Sequence, residues 1–350
     1  MRDVAVVSFA QIPSLRQDTR NDVEMLIDLI PDVVSRSGLP REEIGFTCSG
    51  SCDYIAGQPF SFVMALDAVG AWPPIAESHV EMDAAWALYE SWVKIQTGEF
   101  ESALIYGFGK SSMGSPADVV TLQLDPYLLT PLWPTAPHMA ALQARKMIDA
   151  GKTSEREMAE IAARNRRAGM ANPNAHCTGE FDVDALLAEP YLASPLRKHD
   201  CPPISDGASA IVLAAGDLAR EVCERPAWIR GIDHRVEAHS IGARDLTVST
   251  STRQAAEKAG VGSGGLDVAE VYAPFSHQEK LLAEALGLGG DCTVNPSGGV
   301  LSAHPFMTAG LTRIGEVAQR ILDGEAGRGV AHATSGPCLQ HNLVCLLEGE

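Results

Sequence analysis

The chain has 350 residues, 45% of them hydrophobic, which is enough to bury a large core in one large or two medium domains and excludes a wholly disordered protein. Its 27 Lys and Arg against 45 Asp and Glu give a formal net charge of -18 and a pI near 4.9, which argues against a nucleic-acid groove or an anionic membrane surface. No apolar run approaches the ~18 residues of a membrane span, and the short apolar start has neither the length nor the cleavage site of a secretory signal, so the expected location is the cytoplasm.

In chain order, residues 3–9 read as a buried strand and Asp22 to Ser37 as an amphipathic helix ending near Gly38 and Pro40. Ala84 to Gln96 is a periodic helix closed by Gly98, and Ser102 to Gly107 a short buried strand. The strand segment Glu101–Tyr106 is expected at a sheet edge that needs a partner. Strands alternating with helices of this length imply an α/β core with a mostly parallel sheet. From about 116 to 200 the texture changes to Pro- and Trp-containing turns with two helical runs, Met139–Ala150 and Ser154–Ala168, which read as an inserted lobe. A second α/β pattern starts at Ala208 and runs through Ala269–Phe275 to a last strand around Leu343–Leu347. Both halves offer a helix behind a turn or small-residue segment, at Asp83–Gln96 and Thr308–Leu322, which fits duplicated domains. The expected division is 1–115 with 201–220 as the N-terminal half, 116–200 as the lobe, and 221–350 as the C-terminal half.

The eight cysteines, at 48, 52, 177, 201, 223, 292, 338 and 345, contain no CxxC pair, so neither a metal site nor a disulfide framework is expected. Cys48 and Cys52 read as buried thiols. Ser205-Asp206-Gly207 reads as a tight turn and not a hydrolase elbow, because no Gly-x-Ser-x-Gly stands at a strand-to-helix junction. Gly260 to Gly265 matches a dinucleotide fingerprint in spacing, yet follows a helical run and precedes a strand, the reverse of such a site, and reads as a loop.

Four blocks carry chemistry. They are Gly107-Phe-Gly-Lys110-Ser-Ser-Met-Gly114, Asp200-Cys-Pro-Pro-Ile-Ser-Asp206-Gly207-Ala208, Asn295-Pro-Ser-Gly-Gly299 through His304-Pro305, and Leu339-Gln-His341-Asn342. Together and in this order they resemble the thiolase superfamily over nearly the whole chain, and within it the sterol-carrier-type thiolases and bacterial lipid-transfer or thiolase-like proteins. The resemblance implies a five-layer αβαβα fold of two duplicated halves with an inserted loop lobe. It also implies a cytoplasmic dimer that handles acyl-CoA thioesters of lipids or steroid side chains, with coenzyme A thioester as substrate and no permanently bound cofactor.

The departures from the family are as informative. Alignment through Gly98 puts Glu81 where the family carries its nucleophilic cysteine, and a carboxylate forms no durable thioester. Glu81 or Asp83 then reads either as a general base or as a helix cap. Glu270-Val-Tyr272-Ala-Pro274-Phe275 is similar to the sterol-carrier block reading His-Asp-Cys-Phe, with Tyr272 at the histidine and Pro274 at the catalytic cysteine. Tyr272 reads as a hydrogen-bonding group or as a packing residue. His304, preceded by Ala303 where the family has Gly and one residue short of the usual spacing from Gly299, implies an imidazole that holds the thioester or enolate oxygen. Cys338 lies near the acid/base cysteine of biosynthetic thiolases and reads either as a pocket thiol or as a buried one. His341 and His277 read as supporting or surface residues. Arg164, Arg166 and Arg167 could meet the phosphates of coenzyme A or form a solvated helix face.

The implied function is carbon–carbon bond cleavage of retro-aldol type without a cysteine acyl-enzyme. Two alternatives stay open: a non-catalytic lipid-transfer or inactive thiolase subunit of a heterocomplex, and an acyl-CoA acyltransferase using Cys338. By resemblance the partners are a second copy of the chain or an OB-fold acyl-CoA-associated protein, with no nucleic acid and no membrane span.

Overall fold

The computed structural model describes residues 2–350, and ten of its strands form one sheet. In chain order these are β1 (Val4–Gln11), β2 (Phe46–Gly50), β3 (Glu77–Val80), β4 (Ser102–Lys110), β5 (Asp206–Ala215), β6 (Ala227–Val236), β7 (Val268–Val271), β8 (Thr293–Val294), β9 (Arg328–Ser335) and β10 (His341–Glu348). Their spatial order is β8-β7-β9-β10-β6-β1-β5-β4-β2-β3. Read from each edge inward, β3-β2-β4-β5-β1 and β8-β7-β9-β10-β6 are the same path drawn twice. The pairing senses match as well: the outer three strands of each half are parallel, and the inner pairs are antiparallel. Within the sheet the two halves are joined by the pairing of β1 with β6, Ala5 with Trp228 and Val6 with Ala227.

Side-chain alternation builds the layers. On β1, Val4, Val6 and Phe9 point into a central core with helices α1 (Ala84–Gln96) and α3 (Ala309–Leu322), while Ala5, Val7 and Ala10 point to the outer helices of the N-terminal half. A register shift between Val6 and Ser8 changes the phase of β1. The opposite face of the C-terminal half, with Val271, Val330 and Val344, packs on helices Thr250–Ala259 and Ser276–Leu286. The result is helices, sheet, α1 with α3, sheet, helices.

The central helices come close because their contacting residues are small. α1 buries Ala84, Ala85 and Ala87, and α3 carries Gly310 and Gly315. A Cβ on Gly315 would lie 2.1 Å from the Phe9 ring, so Gly315→Val would displace that ring from the core. Each large aliphatic side chain buried in this layer, such as Leu88, Ile95 or Ile314, contributes about 1.5–3 kcal/mol.

Four expectations are corrected. The sheet is not mostly parallel, since four of its strand pairings are parallel and five antiparallel. The Asp22–Ser37 segment is two helices, Asp22–Leu26 and Leu29–Arg36, the first opened by a capping box between Asn21 and Glu24. Glu101–Tyr106 is not at an edge: β4 lies between β2 and β5, and the edges are β3 and β8. Asp206 and Gly207 begin β5 instead of forming a turn, held by Leu15, whose N–H donates to the Asp206 carbonyl at 3.0 Å. The region after β4 holds α2 (Glu155–Ala168) and a second helix, Ala136–Asp149. Gly260 ends helix Thr250–Ala259 in a left-handed conformation and leads into a loop.

Candidate functional site

The segment from Asn295 to Thr308 crosses from β8 to α3, and its sequence is explained by buried acceptors. Asn295 Oδ1 accepts from the Val271 N–H at 2.8 Å, and Asn295 Nδ2 donates to Glu279 at 2.7 Å. The Ser297 N–H and hydroxyl both donate to Glu270, at 2.9 and 2.8 Å, and the Arg313 guanidinium donates to Glu270 at 2.5 Å. Glu270 and Arg313 are fully buried, so this pair is held by its hydrogen bonds and not by solvent. Gly298, at φ 92°, lies against the Gly169 backbone, where a Cβ would come within 2.7 Å.

This scaffold delivers His304 to Tyr272. The Tyr272 hydroxyl and His304 Nε2 are 2.7 Å apart, and the rings meet edge to face at 5.4 Å. Tyr272 is buried at the end of β7, while His304 keeps one partly open edge. Burial, then the Arg313 charge, push the His304 imidazole down to about 4; burial, then the negative charge of Asp83, push the Tyr272 phenol well above its ordinary value. At neutral pH the pair is therefore a neutral imidazole beside a neutral phenol. The His304 backbone N–H donates to Ser205 Oγ at 2.9 Å, and His176 Nε2 contacts the same hydroxyl at 2.8 Å. Ser205 and Pro305 form an isolated bridge that fixes the two loops together.

Asp83 joins the starts of the two central helices. It caps α1 by accepting from the Ala85 N–H at 2.9 Å, and it also accepts from the Gly310 and Leu311 N–H groups of α3, at 2.8 and 3.1 Å. Burial pushes its carboxyl above the usual range, and these three donors pull it back.

The other residues expected from sequence lie elsewhere. Glu81 precedes the cap by two residues, its side chain 48% exposed, and accepts from the Asp53 N–H at 2.7 Å; it does not start the helix. Cys338 is buried with Leu124, Met139 and Leu246, its Sγ 3.4 Å from the Met139 carbonyl, and burial pushes its thiol up to about 11. Arg164 pairs with Glu279, Arg167 with Glu180 at 2.6 Å, and Arg166 is buried, donating to the His199 carbonyl at 3.3 Å. The three guanidiniums thus have separate partners. His277 is fully buried against Gln143 at 3.3 Å, and burial pushes it down to about 3.

Ser205 and His176 were not singled out from sequence. Ser205 lies in a block already notable for Asp206-Gly207, and His176 sits in an aperiodic loop that gave no signal. Among the described residues, no group of three or more His, Cys, Asp or Glu is arranged to hold a metal, and no helix is long and apolar enough to cross a membrane.

No protein-family model matches the chain. It is 27% identical over 98% of its length, and 96% of the relative's, to an acetyl-CoA acetyltransferase of Methanothermobacter thermautotrophicus. Over 57% of the chain it is 28% identical to the benzoylsuccinyl-CoA thiolase subunit BbsB of Thauera aromatica, covering 59% of that protein. Human sterol carrier protein 2 is 28% identical over 73% of the chain, which spans 54% of that protein. Among solved structures, the Ltp2-ChsH2(DUF35) aldolase superposes with a TM-score of 0.82 at 17% identity, covering 99% of this chain and 97% of that one.

Proposed function

Because the chain belongs to the thiolase superfamily, among its sterol-carrier-type members, we propose that it acts on acyl-CoA thioesters of lipid or steroid side chains and cleaves a carbon–carbon bond by retro-aldol chemistry, with no cysteine acyl-enzyme. The observation that carries this reading is the 2.7 Å contact between Tyr272 and His304, two neutral groups suited to moving a proton and not to forming a thioester. In the reaction, the β-hydroxyl of a 3-hydroxyacyl-CoA passes its proton to the Tyr272 oxygen as the phenol proton moves to His304 Nε2. The Cα–Cβ bond breaks, its electron pair goes to the α-carbon as the thioester enolate, and the β-carbon becomes a carbonyl. The proton returns through the same pair to the α-carbon, leaving a shortened acyl-CoA and an aldehyde or ketone.

Two further observations support the reading. Glu81 is engaged with Asp53 outside the Tyr272–His304 pair, which leaves the phenol and imidazole to supply the base. The Ltp2-ChsH2(DUF35) aldolase has the same fold and joins two proteins in its name, and BbsB is a thiolase subunit, which supports a heterocomplex with an OB-fold acyl-CoA-associated partner. The acetyl-CoA acetyltransferase likeness over 98% of the chain favours a second reading, acyl transfer through Cys338.

The test is a paired assay, aldol cleavage of 3-hydroxyacyl-CoA against CoA-dependent cleavage of 3-ketoacyl-CoA, with the protein alone and with co-purified partners. Aldol cleavage lost in Tyr272→Phe supports the proposal. Ketoacyl cleavage lost in Cys338→Ser, with Tyr272→Phe active, supports acyl transfer instead.

A further inference from the structure

Two histidines far apart in sequence meet on one serine. Ser205, fully buried, takes the His304 backbone N–H on its Oγ at 2.9 Å, has His176 Nε2 at 2.8 Å, and reaches the Pro203 carbonyl at 3.3 Å. The hydroxyl has one proton and a carbonyl can only accept, so the three contacts are met together when Ser205 donates to Pro203 and accepts from both histidines. His176 then carries its proton on Nε2. Its loop is tied to the His304 segment a second time: the His176 and Cys177 N–H groups donate to the Ser302 carbonyl at 3.3 and 2.9 Å, and the Ser302 hydroxyl donates to the Asn165 carbonyl at 3.1 Å. On the other side of His304, Pro305 forms a parallel bridge with Ser205, and a Cβ on Gly207 would lie 3.0 Å from the Pro305 Cβ. Residues 302, 304 and 305 are thus gripped by residues 176–177 and 205–207. Among the described residues, Ser205 supplies the one side-chain bond to the His304 main chain.

We propose that Ser205 is a positioning residue for the cleavage: oriented by His176, it fixes the main chain at His304 so that the imidazole stays within reach of Tyr272. The phenol is buried and has His304 Nε2 as its one hydrogen-bond partner among the described residues, so it donates to that nitrogen, and Nε2 is the acceptor that receives the proton in the proposed reaction. The contact is 2.7 Å, and a displacement of about 0.5 Å carries it to the outer edge of hydrogen-bond range. Loss of the Ser205 oxygen leaves the His304 N–H without its partner, lets the segment turn, and lengthens the Tyr272 contact while the helices and the sheet keep their packing. The effect on rate rests on the proposed aldol reading; the effect on the Tyr272–His304 contact does not.

The experiment reads His304 in the resting protein, with ring-¹⁵N histidine incorporated throughout and the His304 signals identified by their absence in His304→Gln. Tyr272→Phe supplies the position of Nε2 with no phenol bound to it. In Ser205→Ala the Nε2 resonance should move from the native position toward that of Tyr272→Phe. Ser205→Thr, which restores the oxygen, should bring it back, and His176→Ala should move it less far than Ser205→Ala. Ser205→Cys keeps the shape of the side chain with only a weak acceptor, and takes the place of Ser205→Ala where that variant folds poorly. In turnover of a 3-hydroxyacyl-CoA, Ser205→Ala should lower kcat roughly tenfold or more with KM unchanged, and Ser205→Thr should recover most of that loss. A folded Ser205→Ala whose Nε2 resonance stays at the native position overturns the proposal, since a merely structural serine would lower the melting temperature and leave the resonance in place. A larger shift in His176→Ala than in Ser205→Ala overturns it as well. Absence of aldol cleavage in the native protein would sink the proposed function and leave the resonance shifts standing, and unmoved resonances with native cleavage intact would do the reverse.

Discussion

Helices α1 and α3 hold matching places in the two halves, each entering after the third strand of its half and leaving for the fourth, yet they begin differently. α1 brings its own cap, Asp83; α3 starts at Thr308 with no side-chain cap and takes its donors' partner from the other half. The polar machinery is just as uneven. Tyr272, Glu270, Ser297 and His304 all lie on the C-terminal half, while the corresponding N-terminal loop offers Glu81, half-exposed and tied to the Asp53 N–H. A duplicated fold fixes where helix ends and loops converge, and the side chains then decide which half holds the reacting groups and which closes the junction.

The largest test of this asymmetry is acid. His277 and His332 are fully buried on the C-terminal half and are pushed down to about 3 and about 4, and His304 to about 4. A histidine whose folded pKa is depressed leaves the unfolded chain binding more protons below pH ~6.5, so its stabilisation is complete above that value and is lost as pH falls toward the folded pKa. We expect a loss of roughly 3 kcal/mol for each of the two fully buried histidines by pH 4, and less for the partly open His304. Denaturant titrations at pH 7 and pH 4, with hydrogen exchange, should show the C-terminal half opening first; uniform opening of both halves would break the comparison.

Next in size, Arg313→Met removes one partner of the buried pair and leaves Glu270 uncompensated, so folding stability should fall by about 3–5 kcal/mol in chemical denaturation. His304→Ala should lower the rate of aldol cleavage ~100-fold, the loss typical of one aimed polar group (about 2.7 kcal/mol), with little change in KM. Smallest of all, Glu81→Gln alters an exposed contact and should change stability by less than ~0.5 kcal/mol. A large effect on cleavage from Glu81→Gln would return the catalytic base to the N-terminal half.

Much of this was legible in the sequence because the signals were local or periodic. The strand–helix alternation, the two central helices and the Asn295-Pro-Ser-Gly-Gly turn follow from spacing and from glycines that the backbone requires, and Tyr272 and His304 stood out as residues in a known block. The position of Glu81 illustrates the limit. Register counted from Gly98 places it at the helix start, whereas Asp83 is the residue whose short side chain reaches the first-turn N–H and also the start of α3. No property of residues 81–83 announces Gly310 as a neighbour 227 positions away. Ser205 and His176 were hidden for the same reason: their contacts join loops far apart in sequence, and neither residue type is unusual in a loop. The interior place of β4 was likewise invisible, since alternation does not reveal how many partners a strand has.

The central claim, that Tyr272 and His304 on the C-terminal half carry out the cleavage without a covalent intermediate, is tested most directly by intact-protein mass spectrometry of samples quenched during turnover of a 3-hydroxyacyl-CoA. The account predicts unmodified protein at every time point while shortened acyl-CoA accumulates. An acyl adduct that forms and decays at the turnover rate, mapped to Cys338 or any other cysteine, would contradict it.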